Sequence, residues 1–200
     1  MQAFHNDPLI KEEYLTRVQA HYKADEIIKG QYWEDGKGCA VGCTIHSENH
    51  KDYETELGIS KILAHLQDKI FEGLPNNLAK EFPLEFLSAI NVGADLSKVS
   101  NLFMIWILTD PEYGVLQFAK NKKVIQDIAN AFVEDMVTPV SAEKWKQLRN
   151  AAYAVGENAD ATAAAAAYAA FYSYSTVSYA KSKWYIAASK KLIELLKQTN

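Results

Sequence analysis

Residues 36–50 read Gly-Lys-Gly-Cys-Ala-Val-Gly-Cys-Thr-Ile-His-Ser-Glu-Asn-His and hold both cysteines and two of the five histidines of the chain. Thiolate and imidazole are the ligands zinc prefers, so Cys39, Cys43, His46 and His50, spaced Cys-x3-Cys-x2-His-x3-His, form a candidate zinc set. On a helix, Cys39 and Cys43 share a face and so do His46 and His50, and either pair could hold one ion. All four could not do so from a straight helix, which would place Cys39 about 16 Å from His50 at a rise of about 1.5 Å per residue. A bend at Gly42 is one remedy, although the spacing departs from finger and ribbon patterns. The same residues allow thiol chemistry, with Cys39 or Cys43 as a nucleophile stabilised by a helix N-terminus, Lys37 or His46. They equally allow plain packing, in which the cysteines act as small hydrophobes and Gly38 and Gly42 admit a neighbouring helix. His21 and Asp25, one turn apart on the apolar stripe of the first helix, complete a candidate cluster of Cys39, Cys43, His46, His21 and Asp25. Such a His–Asp pair can also simply satisfy itself.

Other chemistries lack their context. Gly36, Gly38 and Gly42 imitate a phosphate-binding loop, but no buried strand precedes them and no βαβ unit follows. Gly-Lys here is followed by Gly-Cys rather than Ser or Thr. Gly-x-Ser-x-Gly and His-Glu-x-x-His are missing, and neither His21 nor His65 has the upstream Glu of a di-iron motif.

The elements that must position these residues read as helices. Asp7 caps and Pro8 opens a first helix, with Ile10, Tyr14, Val18, His21, Asp25 and Ile28 recurring at helical spacing until Gly30. Residues 31–38 read as a loop, and Cys39 to His46 as a short helix. After Gly58, the residues Ile59, Ile62, Leu63, Leu66 and Ile70 form one stripe, ended by Gly73 and Pro75. Pro83 opens a segment with Phe86, Leu87 and Ile90 that closes near Gly93. Leu102 to Leu108 is apolar on every face and, with no partner strand in view, is assigned to a buried helix. Val124, Ile128, Ala131, Phe132 and Met136 predict a further helix, and Ser141 caps one that turns Trp145, Leu148 and Ala152 inward.

The last forty residues are rich in alanine and tyrosine. A continuous helix from Ala161 to Lys197 would span about 55 Å, against about 40 Å for a compact chain of this size, so a kink is expected in the weak helix formers Ser173 to Ser178. The Tyr168 to Trp184 stretch could pack as core or present a tyrosine-rich face to a partner.

Composition bounds the rest. With 48% hydrophobic and 23% charged residues, the 200-residue chain is expected to fold throughout as one domain, residues 1–200. The net charge of −4 is scattered, and the Lys120, Lys122 and Lys123 cluster is too small to predict nucleic-acid binding. The N-terminus has no signal-peptide pattern and no apolar run reaches a membrane span, so a soluble cytoplasmic protein is expected, in keeping with two lone cysteines.

Lys37 to His46, then Tyr53 to Ile59 and Val92 to Leu96, resemble a group of uncharacterised bacterial and phage-associated proteins, and the resemblance extends through the Ala-rich C-terminal region. It implies a small helical protein of mobile-element origin, and it carries over no catalytic residues. The expectation is thus an all-α, single-domain irregular bundle that acts by binding a protein partner or itself. The alternative is a metal-binding or thiol-dependent enzyme using Cys39, Cys43 and His46.

Overall fold

The structure, a computed structural model, describes residues 1–119, 121–154 and 178–200, and it is all-α apart from one small hairpin. Its helices are α1 (Pro8–Lys23), α2 (Ala40–Ile45), α3 (Asp52–Leu57), α4 (Lys61–Gly73), α5 (Asn76–Ala89), α6 (Val99–Thr109), α7 (Lys122–Asp135), α8 (Ala142–Ala154) and α9 (Ser178–Lys197). The hairpin pairs β1 (Trp33–Glu34) with β2 (Lys37–Gly38). The contacts divide the chain into two compact units, residues 1–99 with 188–200, and residues 100–187. Among the described residues no helix is long and apolar enough to cross a membrane.

In the first unit, the Asp7 carboxylate accepts the Leu9 N–H at 2.8 Å, and Pro8 opens α1 where its missing N–H costs nothing. The helix stops at Lys23, short of the expected Gly30, because the chain turns through Asp25 in the left-handed region at φ 58°. Asp tolerates that conformation better than most side chains, which makes it an effective stop. Helix α4 buries Leu63, Leu66 and Ile70 as its stripe predicts, whereas Ile62 is exposed. Pro83 lies inside α5 rather than at its start, since Pro75 precedes the first turn. Helix α1 packs on α5, α5 on α4, and α2 sits against α1, α4 and α5, around a core containing Phe71, Phe82, Phe86 and Tyr53. Helix α3 is an element that the sequence pattern does not announce.

In the second unit, α6 buries Phe103, Met104, Ile107 and Leu108. Helix α7 buries Ile125, Ile128, Ala129, Ala131 and Phe132, the last packed on Trp145 of α8 with ring centroids 4.9 Å apart. The Asn101 amide donates to Asp135 at 3.0 Å. Trp184 donates its indole N–H to the Tyr113 carbonyl at 3.2 Å. The alanine run and the kink expected from Ser173 lie outside the described residues, except for Ser178, the first residue of α9.

Candidate functional site

The hairpin organises the cysteine–histidine segment. Asp35 and Gly36, at φ 50° and 80°, form the turn that joins Trp33 to Gly38 and Glu34 to Lys37. Both central residues have positive φ, the geometry that Asp-Gly favours in a two-residue hairpin. Beside β2 runs the segment after α1: Ile28 N–H donates to the Gly38 carbonyl at 2.8 Å and Gly38 N–H to the Glu26 carbonyl at 3.1 Å. The Tyr32 carbonyl accepts the Cys39 N–H and presses onto α2. An added Cβ would lie 1.6 Å from that oxygen at Gly42 and 2.0 Å from it at Gly38, so these glycines admit a hairpin carbonyl rather than a helix. Neighbouring side chains on an extended segment point to opposite sides. Trp33 accordingly meets His46 and His21, while Tyr32 meets His50.

On the Trp33 side, His21 from the last turn of α1 and His46 from the end of α2 face each other, Nε2 to Nε2, at 2.8 Å. His46 caps α2 in the left-handed conformation, φ 51°. The ring stacks on Trp33 with centroids 4.3 Å apart and planes 12° from parallel. The Nδ1 of His21 meets the Glu26 carboxylate at 2.7 Å. Glu26 reaches it because the chain doubles back just after α1, where Glu26 N–H also donates to the His21 carbonyl. Arg17 pairs with Glu13 at 2.9 Å and donates to the Thr44 carbonyl at 3.0 Å, which ties α1 to the end of α2. Burial, then the charges of Arg17 and His21, hold the His46 imidazole below its ordinary pKa. His46 is exposed to solvent, while His21 is 12% exposed behind it.

A carboxylate on Nδ1 fixes the tautomer of His21. Glu26 accepts the Nδ1 proton, leaving the Nε2 lone pair to take the single proton that can lie between the two rings. His46 supplies it. The result is a chain of shared protons from an exposed ring to an inner ring to a carboxylate.

The other expected site residues lie elsewhere. Cys39 and Cys43 are 1% and 0% exposed. The Cys39 sulfur accepts the Gly42 N–H at 3.4 Å, and the Cys43 thiol donates to the Gly38 carbonyl at 3.3 Å. Burial, joined by the negative charge of Asp68, pushes the Cys39 thiol far above its usual range, and burial pushes Cys43 up to about 12. Desolvation outweighs the helix N-terminus, so neither thiol is a ready nucleophile. Asp25 is not stacked one turn below His21: its exposed carboxylate pairs with Lys80, which holds its pKa low.

His50 falls on the Tyr32 side. It is buried, stacked face to face on His65 at 4.1 Å, with its Nε2 3.7 Å from the Asp68 carboxylate. Cys39, Cys43, His46 and His50 therefore do not form one set, because α2 ends at Ile45 and the hairpin parts the two histidines. Among the described residues no three His, Cys, Asp or Glu side chains converge as metal ligands. Next to His50, Tyr53 donates to the Gln67 carbonyl oxygen at 2.7 Å. Among the described residues, three buried atoms here have no hydrogen-bond partner: His50 Nε2, Gln67 Nε2 and Asp68 Oδ1.

Glu26, Trp33 and Arg17 join the first cluster, and Asp68, His65 and Gln67 the second, without any signal in local spacing. Glu26 stands five residues beyond His21, past the helix end, where helical periodicity gives no clue. Comparison with protein-family models, with curated proteins and with solved structures found no match.

Proposed function

We infer that the first unit carries an acid–base site built on imidazole rather than thiol, with His46 as the group that meets a small polar substrate. The observation that carries this reading is the hydrogen-bonded series His46, His21, Glu26, open to solvent at one end. In the step envisaged, a hydroxyl or water proton passes to Nδ1 of His46. The proton on its Nε2 moves to Nε2 of His21, whose Nδ1–H stays on Glu26. Atoms balance, and the positive charge ends on the inner ring beside the Glu26 carboxylate. Trp33 supplies a flat apolar floor for the ring.

Hydrolysis of p-nitrophenyl acetate, measured with chelator present, tests this. Turnover above that of free imidazole is expected, falling at least tenfold in His46→Gln and in His21→Gln, since positioned bases contribute about a hundredfold or more. Turnover unchanged in both variants would end the reading.

A second reading, binding of a protein partner or self-association, is favoured by exposed apolar side chains in the second unit. Val133, in the last turn of α7, and Val137, two residues past its end, are 49% and 86% exposed, and Phe118 is 56% exposed. Light scattering over a hundredfold concentration range checks self-association, and a constant monomer mass excludes it.

A further inference from the structure

Resting on the imidazole site just described, we propose that the His21–His46 pair also binds a divalent transition-metal ion through the two Nε2 atoms, with Glu26 bracing the inner ligand from behind. Imidazole nitrogen suits copper, nickel and zinc. A ligating histidine must present a lone pair, and it does so reliably when its other nitrogen donates to a carboxylate. His21 already has that arrangement, with Nδ1 on Glu26 at 2.7 Å.

The spacing bears on the class of ion. At a metal–nitrogen distance of about 2.0–2.1 Å, two ligands at right angles stand about 2.9 Å apart and two tetrahedral ligands about 3.3 Å. The present separation of 2.8 Å, set by the hydrogen bond between the rings, is close to the former. A tetragonal copper(II) ion therefore needs little parting of the rings, and zinc needs about half an ångström. The rings must also rotate so that both lone pairs meet the ion, and His46, exposed at the end of α2, is the freer of the two. Charge permits it: Glu13 offsets Arg17, and Glu26 adds a negative charge behind His21. When the metal enters, the proton between the rings leaves Nε2 of His46 and is taken up at its Nδ1, so both rings stay neutral. Solvent fills the remaining positions, since no third protein ligand converges there among the described residues.

The test uses the full chain without a histidine tag, stripped of metal and titrated with copper(II) chloride, with zinc chloride in parallel. Calorimetry is expected to give one copper site per chain, and electron paramagnetic resonance of the unmodified protein a splitting from two nitrogen ligands. Binding should weaken at least tenfold in His21→Gln and in His46→Gln, and about tenfold in Glu26→Gln, as for other carboxylates behind a metal-bound histidine. It should be unchanged in His5→Gln and His65→Gln. A spectrum without two nitrogens, or affinity that survives the His21 and His46 substitutions but falls with His5→Gln or His65→Gln, overturns the proposal. Ester turnover without metal binding ends the metal proposal alone. Two-histidine binding without turnover ends the acid–base reading alone.

Discussion

His21 and His46 meet edge to edge through their nitrogens, 2.8 Å apart, with a carboxylate on the far side of one ring. His50 and His65, across the same hairpin, meet face to face at 4.1 Å. Stacking leaves ring nitrogens to find partners in the ring plane, and for His50 the nearest acidic oxygen lies 3.7 Å from Nε2, too far for a hydrogen bond. The first pair is joined nitrogen to nitrogen and opens to solvent at His46. In the second His65 is exposed, while His50 Nε2, with Gln67 Nε2 and Asp68 Oδ1 beside it, has no hydrogen-bond partner among the described residues. Two histidines four residues apart acquire different chemistry from the side of the hairpin on which each falls, which sets ring orientation, burial and partners.

The largest expected effect comes from removing that common cause. Gly42→Ala puts a Cβ where the Tyr32 carbonyl oxygen is 1.6 Å away, a clash with backbone that no rotamer relieves. Overpacking costs about 1–3 kcal/mol and occasionally more, a backbone clash is expected at the upper end of that range, and displacing the hairpin would disturb both Trp33 and Tyr32. Urea unfolding measures the loss. A cost below about 1 kcal/mol would mean that the hairpin does not hold the two pairs as described.

The next effect should separate the two sides. Tyr53→Phe removes the donor from a fully buried Gln67 whose amide nitrogen already lacks a partner, and is expected to cost about 1–3 kcal/mol. His46→Gln alters an exposed ring and should cost under about 1 kcal/mol. Equal losses in denaturant unfolding would break the contrast between a site that supports the fold and one free to do chemistry.

Much of the helical frame can be read from residue pattern, because α4 and α7 bury contiguous apolar stripes and Asp7-Pro8 marks a helix start by local chemistry. The site is less legible. Asp35-Gly36 is a strong hairpin signal, yet it joins strands of two residues each, too short to alternate visibly, and so the segment reads as a loop. Asp25 ends α1 by taking a left-handed conformation that helical spacing cannot foretell, and this undoes its expected pairing with His21. The sequence brings His21 and His46 under suspicion by residue type, but their meeting depends on α1 and α2 packing together. Glu26, which gives the pair its chemistry, becomes its partner only once the chain has doubled back. The cysteines differ for the converse reason: their spacing fits a reactive or ligating pair, but burial disfavours the thiolate and, among the described residues, no group of three ligands converges.

The smallest expected effect concerns pH and the face-to-face pair. The His65 imidazole is held below its ordinary pKa by burial first and by His50 second, with Lys61 acting in the same direction and Asp68 opposing. In the unfolded chain His65 takes up a proton near pH 6.5, its usual value. The folded chain resists until a lower pH, so between those two values the unfolded state binds more protons and stability falls as the solution is acidified. Above about pH 6.5 both states are neutral at this ring and no slope arises from it. His46 is shifted in the same direction, so the native protein sums at least two such contributions. His65→Gln removes one of them. Its stability relative to the native protein should therefore improve as pH drops from about 7 to 5, by a modest amount because the ring is partly in water. Midpoints of urea unfolding for the two proteins at each pH give the comparison. A difference that is constant with pH would show that stacking on His50 leaves the His65 proton affinity unchanged, and the contrast between the two pairs would then rest on geometry alone.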